Sequence, residues 1–537
     1  MFDGIELLRQ GKNEELWQMC CGFIDLSLEQ CMLIQRRLLL EQIELLKGCE
    51  LGNKIMRGAR PRTVEEFRNQ VPITTYADYA PYLLERREDV LPEKPLLWQH
   101  TSGNSGEFGF KWVPVTAKQY EEFGSLLFAL LIFGTANKRG DINFGEHGKI
   151  LYALAPPPYA TGSWGRLAEK VLPLDFLPPL DEAEDLPFEE RIQRGFQLAL
   201  SEGMDVFFGL PSVLVAIAER LNRSIGFREM ISILRKPSLA YRLIKAKLKS
   251  KLKRRPMLPK DLWSLKGIAV AGTDVSIYKE KIKDMWGRYP LDLYGSTEVV
   301  PIAMQTWDYN DLTFVPHLAF FEFIPEEESL KLRLNPEYQP KTVLLDEVEA
   351  GHNYEIVITN FRGGPFARYR LGDMICITSL RNENLGIDIP QMRFESRVDG
   401  LIDLAGFTRL TEKTIWRAIE NAGLAYEEWT ARKEATDKPV LHVYVELKVN
   451  GRQKVDRTDD EVAAAIHEQL RKLDSSYADL EDMIGLQPLE VTLLPNGAFA
   501  EYVSKQRAAG ADLAHLKPPH LNPSDRVVST LMGCCKQ

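Results

Sequence analysis

The chain has 537 residues, of which 45% are hydrophobic and 27% charged. That is an ordinary globular composition in a chain too long for one compact core. A net charge of -9 and a pI of about 5.6 exclude a protein that coats nucleic acid or anionic membranes through its overall field.

The opening "MFDGIELLRQGKNEE" has no basic segment followed by an apolar core, and its acidic residues do not suit an organellar leader. The seven cysteines form no CxxC pair, so they read as reduced thiols, and the expected location is cytoplasmic. The terminal "CCKQ" sets Cys534 at prenylation distance from the end, but Cys535 and Lys536 are poor aliphatic positions, which argues against lipidation. The longest strongly apolar run, "LLFALLIF" (126–133), is far short of the roughly 20 residues that span a bilayer. It reads as a buried helix or a pocket wall.

The first sixty residues read as helical, with Leu38, Leu39, Ile43, Leu45 and Leu46 as an apolar side among Arg, Gln and Glu. Next comes "HTSGNSGEFGFKW" (100–112). Its glycines, Gly103 and Gly106 among them, permit close approach of backbone N–H groups to a ligand. Thr101, Ser102, Asn104 and Ser105 add side-chain donors, and Lys111 a cation. The loop suits a polyphosphate, although such loops also serve as plain surface turns. A P-loop is disfavoured: in "NFGEHGKI", Asn143 stands where the first Gly belongs and Ile150 where the hydroxyl belongs.

Between residues 120 and 240 the apolar stretches "LLFALLIF" and "VFFGLPSVLVAIAERL", with residues 152–164 as a rim, are candidates for an acid-binding pocket or for plain core. The basic run "KAKLKSKLKRR" (245–255) follows Ile244, and Ile244, Leu248 and Leu252 recur on one narrow helical face, which reads as a solvated helix face in preference to a phosphate- or lipid-binding surface. "GIAVAG" (267–272), a helix that Ser276 can cap, and "PLDLYG" (290–295) make a βαβ unit. Ligands of open α/β sheets sit beyond the carboxyl ends of the strands, here the loops Gly272, Thr273, Asp274 and Gly295, Ser296, Thr297, Glu298.

In "YGSTE" (294–298), Tyr294 can stack on a purine and Glu298 can hold the magnesium that accompanies ATP; a core tyrosine with a capping carboxylate is the alternative. "FFEFIP", "YEIVITNF" and "RYRLGDMICI" read as strands of an antiparallel or barrel-like subdomain. In "RYRLGDM" (368–374), Asp373 after Gly372 can accept from two ribose hydroxyls or serve a structural turn. Beyond Arg397, alternating helices and strands predict a separate small α+β domain.

Taken together and in this order, the three segments resemble the adenylate-forming ligase superfamily. Within it they resemble the acyl acid amido synthetase family, known from auxin-responsive plant proteins of the Gretchen Hagen type. The similarity runs from residue 50 to 520 and includes "VPITTYADYAPYLLE", "FFEFIP", "LPNGAF" and "LKPPHL".

The resemblance implies an α/β fold: a large adenylate-forming domain (1–398) with helix-flanked β-sheets and a β-barrel-like subdomain, then a small mobile α+β domain (399–537) hinged about 395–405. It implies phosphate contacts from Ser102, Gly103, Asn104 and Ser105, with Lys111 as the cation, and an adenine-side loop at Gly272, Thr273 and Asp274. Tyr294, Ser296, Thr297 and Glu298 would surround AMP and magnesium. Tyr369, Arg370 and Asp373, with Arg397 nearby, would hold the ribose side. Arg409 falls where the family has a hinge-region lysine, and Lys517 matches the lysine of the small domain.

The departures are Asn104 in place of Thr, one extra residue before Lys111, Gly295 in the middle motif, and Leu404 where many acyl-CoA ligases have lysine. They point to a divergent, bacterial-type member.

The implied reaction uses ATP and Mg2+ to adenylate a hydrophobic or aromatic carboxylic acid. The acyl group then passes to an amino acid amine, releasing AMP and pyrophosphate. The absence of a G-x-S-x-G nucleophile fits this chemistry. The competing readings are an acyl-CoA ligase and a non-catalytic nucleotide-binding regulatory protein. The expected partners are small-molecule substrates acting on a monomer, with no nucleic acid and no membrane.

Overall fold

Ser27 and Gln30 form a reciprocal capping box that starts the helix Leu28–Lys47. Leu38, Leu39, Ile43 and Leu46 bury its inner face, as their spacing predicts, while Leu45 is only half-buried. Gln35 and Gln42, which belong to the polar set in sequence, lie on the same buried face. The computed structural model describes residues 3–101, 111–153, 155–223, 237–271, 275–335, 337–398, 401–404, 408–435, 439–448, 457–484, 488–508 and 520–533.

The strands in chain order are β1 (Pro95–His100), β2 (Trp112–Thr116), β3 (Gly148–Ala153), β4 (Leu174–Leu177), β5 (Val206–Gly209), β6 (Gly267–Ala271) and β7 (Leu291–Tyr294). They continue with β8 (Ala303–Met304), β9 (Leu312–Phe314), β10 (Ala319–Pro325), β11 (Asn353–Asn360), β12 (Tyr369–Ser379) and β13 (Gln391–Arg397). Among the described residues, eleven of these form one sheet in the order β10-β11-β12-β13-β9-β8-β7-β6-β5-β3-β4.

The half from β4 to β7 is parallel. Its strands read as short continuous apolar runs because helices cover them. One is the helix Ala117–Thr135, which carries "LLFALLIF" with every residue of that run buried. From β7 to β10 every pairing is antiparallel. The strands expected as an antiparallel or barrel-like subdomain thus continue the parallel half as one sheet.

One boundary differs from expectation. The helix between β6 and β7 runs Val275–Trp286, so Ser276 sits inside its first turn instead of capping it. The basic run begins on the helix Pro237–Leu252, where Leu243 and Ala246 are buried among the described side chains, and Ile244, Leu248 and Leu252 face solvent in line with a solvated helix.

The chain divides into two compact units: one holds residues 1–102, 110–275 and 279–398, and the other is built mainly on residues 399–537. The second contains the hairpin β14 (Ile402–Leu404) and β15 (Thr408–Leu410). It also contains a sheet of β16 (Tyr426–Ala435), β17 (Pro439–Leu447) and β18 (Leu489–Leu493). The pair β16/β17 is antiparallel and β17/β18 parallel, with the helices Asp459–Leu473 and Ser475–Ile484 in the crossover. Tyr444, Phe499, Tyr502, Val528 and Leu531 form a core under the last two helices, Ala498–Ala508 and Asp525–Leu531.

Candidate nucleotide and acid site

At the carboxyl end of β7 the chain reverses through residues 295–302 before pairing back as β8. The Ser296 N–H donates to the Val299 carbonyl at 2.8 Å, and the Ile302 N–H to the Tyr294 carbonyl at 2.9 Å. Gly295 is required by close approach: a Cβ there would lie 2.6 Å from Cγ2 and 3.1 Å from Cα of Val300.

Two buried amides brace the reversal from neighbouring strands. Gln99 Nε2 at the end of β1 donates to the Thr297 carbonyl, and Asn360 Nδ2 at the end of β11 donates to the Glu298 carbonyl, both at 2.9 Å. Neither amide stood out in the sequence, because a single Gln or Asn at a strand end has no pattern of its own.

The Glu298 carboxylate that this loop presents accepts from the Tyr369 hydroxyl at 2.8 Å. No cation pairs with it among the described residues. Burial, then the charge of Glu298, push the Tyr369 hydroxyl well above its ordinary value, so the phenol stays a donor. Tyr76 is moved the same way, by burial and again by Glu298. Its hydroxyl donates to the Trp112 carbonyl at 3.1 Å and accepts the Trp112 N–H at 2.8 Å. Lys111 Nζ lies 5.5 Å from the centre of the Tyr76 ring. Tyr76 went unnoticed in sequence; its signal was its place inside "VPITTYADYAPYLLE".

Asp373 lies within β12 rather than in a free turn. Gly372 takes φ +76°, a conformation that suits glycine, and the β12–β13 register shifts between Met374 and Ile375. Asp373 pairs across the sheet with Arg397, whose Nη1 donates to Oδ1 at 2.6 Å, while the Tyr294 hydroxyl donates to Oδ2 at 2.8 Å. Burial, followed by the Asp373 charge, holds the Tyr294 hydroxyl well above its usual range. The Tyr294 ring sits 6.1 Å from that of Phe394 on β13.

Arg370 is not brought to this group. Alternation along β12 sends it to the other face from Tyr369, where it makes a two-pronged pair with buried Glu355 at 2.7 and 2.9 Å. Glu355 also accepts from Ser329 at 2.7 Å. Arg409, in the other unit, pairs with Asp403 across β14 and β15 at 3.2 Å. Ser102, Gly103, Asn104, Ser105, Gly106, Gly272, Thr273, Asp274 and Lys517 lie outside the described residues. The flanks of the first loop are described: the Thr101 N–H donates to the Lys111 carbonyl at 3.1 Å, and the Lys111 N–H to Thr101 Oγ1 at 3.2 Å.

A cavity opens beside Glu298, walled by Tyr120, Phe123, Trp164, Val299 and Val300, with Gln99, Gln119 and Ser163 among its polar points. A second cavity lies between the helix Ala117–Thr135 and β3, β5 and β6; its lining is almost wholly apolar, and Trp164 borders both. Phe123 and Trp164 meet edge to face at 5.7 Å. Among the described residues no helix is long and apolar enough to cross a membrane.

The chain is 31% identical over 218 residues to an indole-3-acetic acid-amido synthetase, GH3.3 of Arabidopsis thaliana, covering 38% of this chain and 34% of that protein. It is 27% identical over 281 residues to a jasmonoyl-L-amino acid synthetase, GH3.5 of Oryza sativa subsp. japonica, covering 48% and 45%. It thus spans less than half the length of these two relatives.

Among solved structures, the GH3.15 acyl acid amido synthetase in complex with 2,4-DB matches with a TM-score of 0.54 and 18% identity, over 99% of this chain and 97% of that one. A 2-hydroxyisobutyryl-CoA ligase with 2-HIB-AMP and CoA matches with a TM-score of 0.52 and 15% identity, over 87% and 86%. At these identities the likeness is one of fold. The GH3 family N-terminal domain matches residues 20–172, the central domain residues 312–397 and the C-terminal domain residues 411–526, together well over half of the sequence. With its site strands spread across the same fold, this chain belongs to the GH3 family.

Proposed function

We propose that the protein is an ATP-dependent acyl acid amido synthetase that activates a hydrophobic or aromatic carboxylic acid as its adenylate and passes the acyl group to an amino acid. The observation that carries this reading is the convergence of Glu298 with Tyr369, and of Asp373 with Tyr294 and Arg397, at strand ends drawn from separate segments of one sheet.

A carboxylate is a poor electrophile, because attack on it concentrates negative charge. ATP enters as a substrate: the acid's carboxylate oxygen attacks the α-phosphorus, the bond to the bridging oxygen breaks, and pyrophosphate departs. Glu298 fits a metal because its charge has no cation among the described residues and one of its oxygens is already oriented by Tyr369. Magnesium held there would neutralise charge on the departing pyrophosphate.

Asp373 has its charge matched by Arg397, so it suits neutral donors such as ribose hydroxyls, and the Tyr294 ring offers a stacking face for the base. Lys111 and the loop before it would meet the phosphates, with the loop Gly272, Thr273 and Asp274 along the adenine. Gln99 and Asn360 hold the Glu298 loop in place throughout. In the second half-reaction the amine attacks the acyl carbon, AMP leaves with the bonding pair, and the nitrogen loses a proton. Rotation of residues 399–537 about the segment 395–405 would bring Lys517 or Arg409 to the nucleotide in one half-reaction and remove it in the other.

Apart from the Glu298 carboxylate and a few uncharged polar groups, the cavity is lined by apolar side chains, which supports an acid with a hydrophobic or aromatic body. The test is pyrophosphate exchange into ATP across a panel of such acids, followed by product mass with pooled amino acids or CoA. An amide mass supports the proposal, a thioester mass replaces it with acyl-CoA ligation, and ATP binding without exchange replaces it with a nucleotide sensor.

A further inference from the structure

The helix Pro237–Leu252 is anchored by one face and, among the described residues, unpartnered on the other. Leu243 and Ala246 are buried, and the helix packs on the helices Phe188–Glu202 and Pro259–Leu262. On the opposite side Tyr241, Ile244, Leu248 and Leu252 are 67%, 59%, 64% and 86% exposed. At about 100° per residue these four fall in one stripe roughly 80° wide. Lys245 lies along one border of the stripe, and Lys247 and Lys251 along the other.

Residues 237–260 contain no acidic side chain. Arg255 is spent on Asp261, and Lys249 approaches the same carboxylate. Lys245, Lys247, Lys251, Lys253 and Arg254 have no acidic partner among the described residues. In a chain of net charge -9, this is a strong local reversal of sign laid beside exposed apolar side chains.

We propose that this helix is a docking surface for an anionic phospholipid bilayer, lying in the plane of the interface with Tyr241, Ile244, Leu248 and Leu252 in the acyl boundary and the lysines at the headgroups. Long lysine stems can run along an apolar edge while their ammonium groups stay in the polar layer, which the two-sided border allows. A polyanion such as nucleic acid would satisfy the cations but leave the leucines in water. A second copy would satisfy the leucines but set cations against cations. An interface with apolar depth and surface phosphates meets both.

The experiment uses the full chain and sedimentation with vesicles, either of phosphatidylcholine alone or of equal parts phosphatidylcholine and phosphatidylserine, at low and at raised salt. Binding to the mixed vesicles should exceed binding to the neutral ones by about tenfold and weaken with salt. The exposed double substitution Leu248→Ser and Leu252→Ser should cut binding by about tenfold while leaving the thermal midpoint and ATP binding unchanged. Lys245→Gln, Lys247→Gln and Lys251→Gln together should do the same.

Three outcomes would overturn the inference. The wild type could ignore both vesicles. The leucine variant could bind mixed vesicles like the wild type, which with retained RNA binding would identify a polyanion surface. Or the wild type could self-associate in gel filtration in a way the leucine variant abolishes.

Discussion

Glu298 and Arg370 illustrate how two charged residues of the same motif set come to different duties. Glu298 carries into the proposed site a carboxylate with no cation partner among the described residues, so Glu298→Gln, which keeps the Tyr369 contact but removes the charge, is expected to lower pyrophosphate exchange by about a hundredfold or more. Exchange within a few-fold of wild type would remove Glu298 from the proposed metal position. Arg370 faces away and neutralises Glu355, which is fully buried. Arg370→Ala should therefore destabilise the protein by about 3 kcal/mol, measured by denaturant titration, while the KM for ATP of the folded fraction stays near wild type. A raised KM with unchanged stability would return Arg370 to the nucleotide. The sequence motif could not separate the two roles, since the direction of a side chain on a strand depends on where the strand's bulges fall.

At the scale of elements, the long helix Leu28–Lys47 is tied to the sheet and to the loop before β12 through the buried Gln35 and Gln42. Gln42 accepts the Gly363 N–H and donates to the Gly364 carbonyl, both at 2.9 Å, and so latches the loop that leads into β12. Gln42→Leu fits the apolar neighbourhood but orphans both backbone groups, and should cost about 1–3 kcal/mol in unfolding free energy. A neutral result would mean that the loop finds other partners.

Trp164, on the helix Ala160–Val171, is the wall shared by the two cavities. Trp164→Ala should join them and shift exchange activity toward longer acids, read as a rise in kcat/KM for long over short substrates. Equal losses for all chain lengths would place the acid elsewhere.

For the molecule as a whole, the acid response is set in part by His317, whose pKa is lowered to about 4 by burial, then by the charges of Arg362 and Arg37. The unfolded chain takes up that proton near the ordinary histidine value and the folded chain resists it. Stability should therefore decline as pH falls from about 6.5 toward 4. His317→Gln should flatten that part of the curve in thermal melts, and an unchanged slope would assign the acid sensitivity to other groups.

Element types, the α/β class and the three chemistry-bearing segments were legible in the chain because each depends on local spacing: apolar periodicity, glycine in tight loops, and donors clustered within a few residues. Tertiary structure alone decided that β7, β11 and β12 converge so that Asn360 and Tyr369 hold Glu298, that Tyr76 joins them, and that Gln35 and Gln42 lie inside. It also decided that the leucines of the basic helix face outward. Those facts arise from contacts between residues tens to hundreds of positions apart, and local pattern carries no information about which of two faces a distant element will cover.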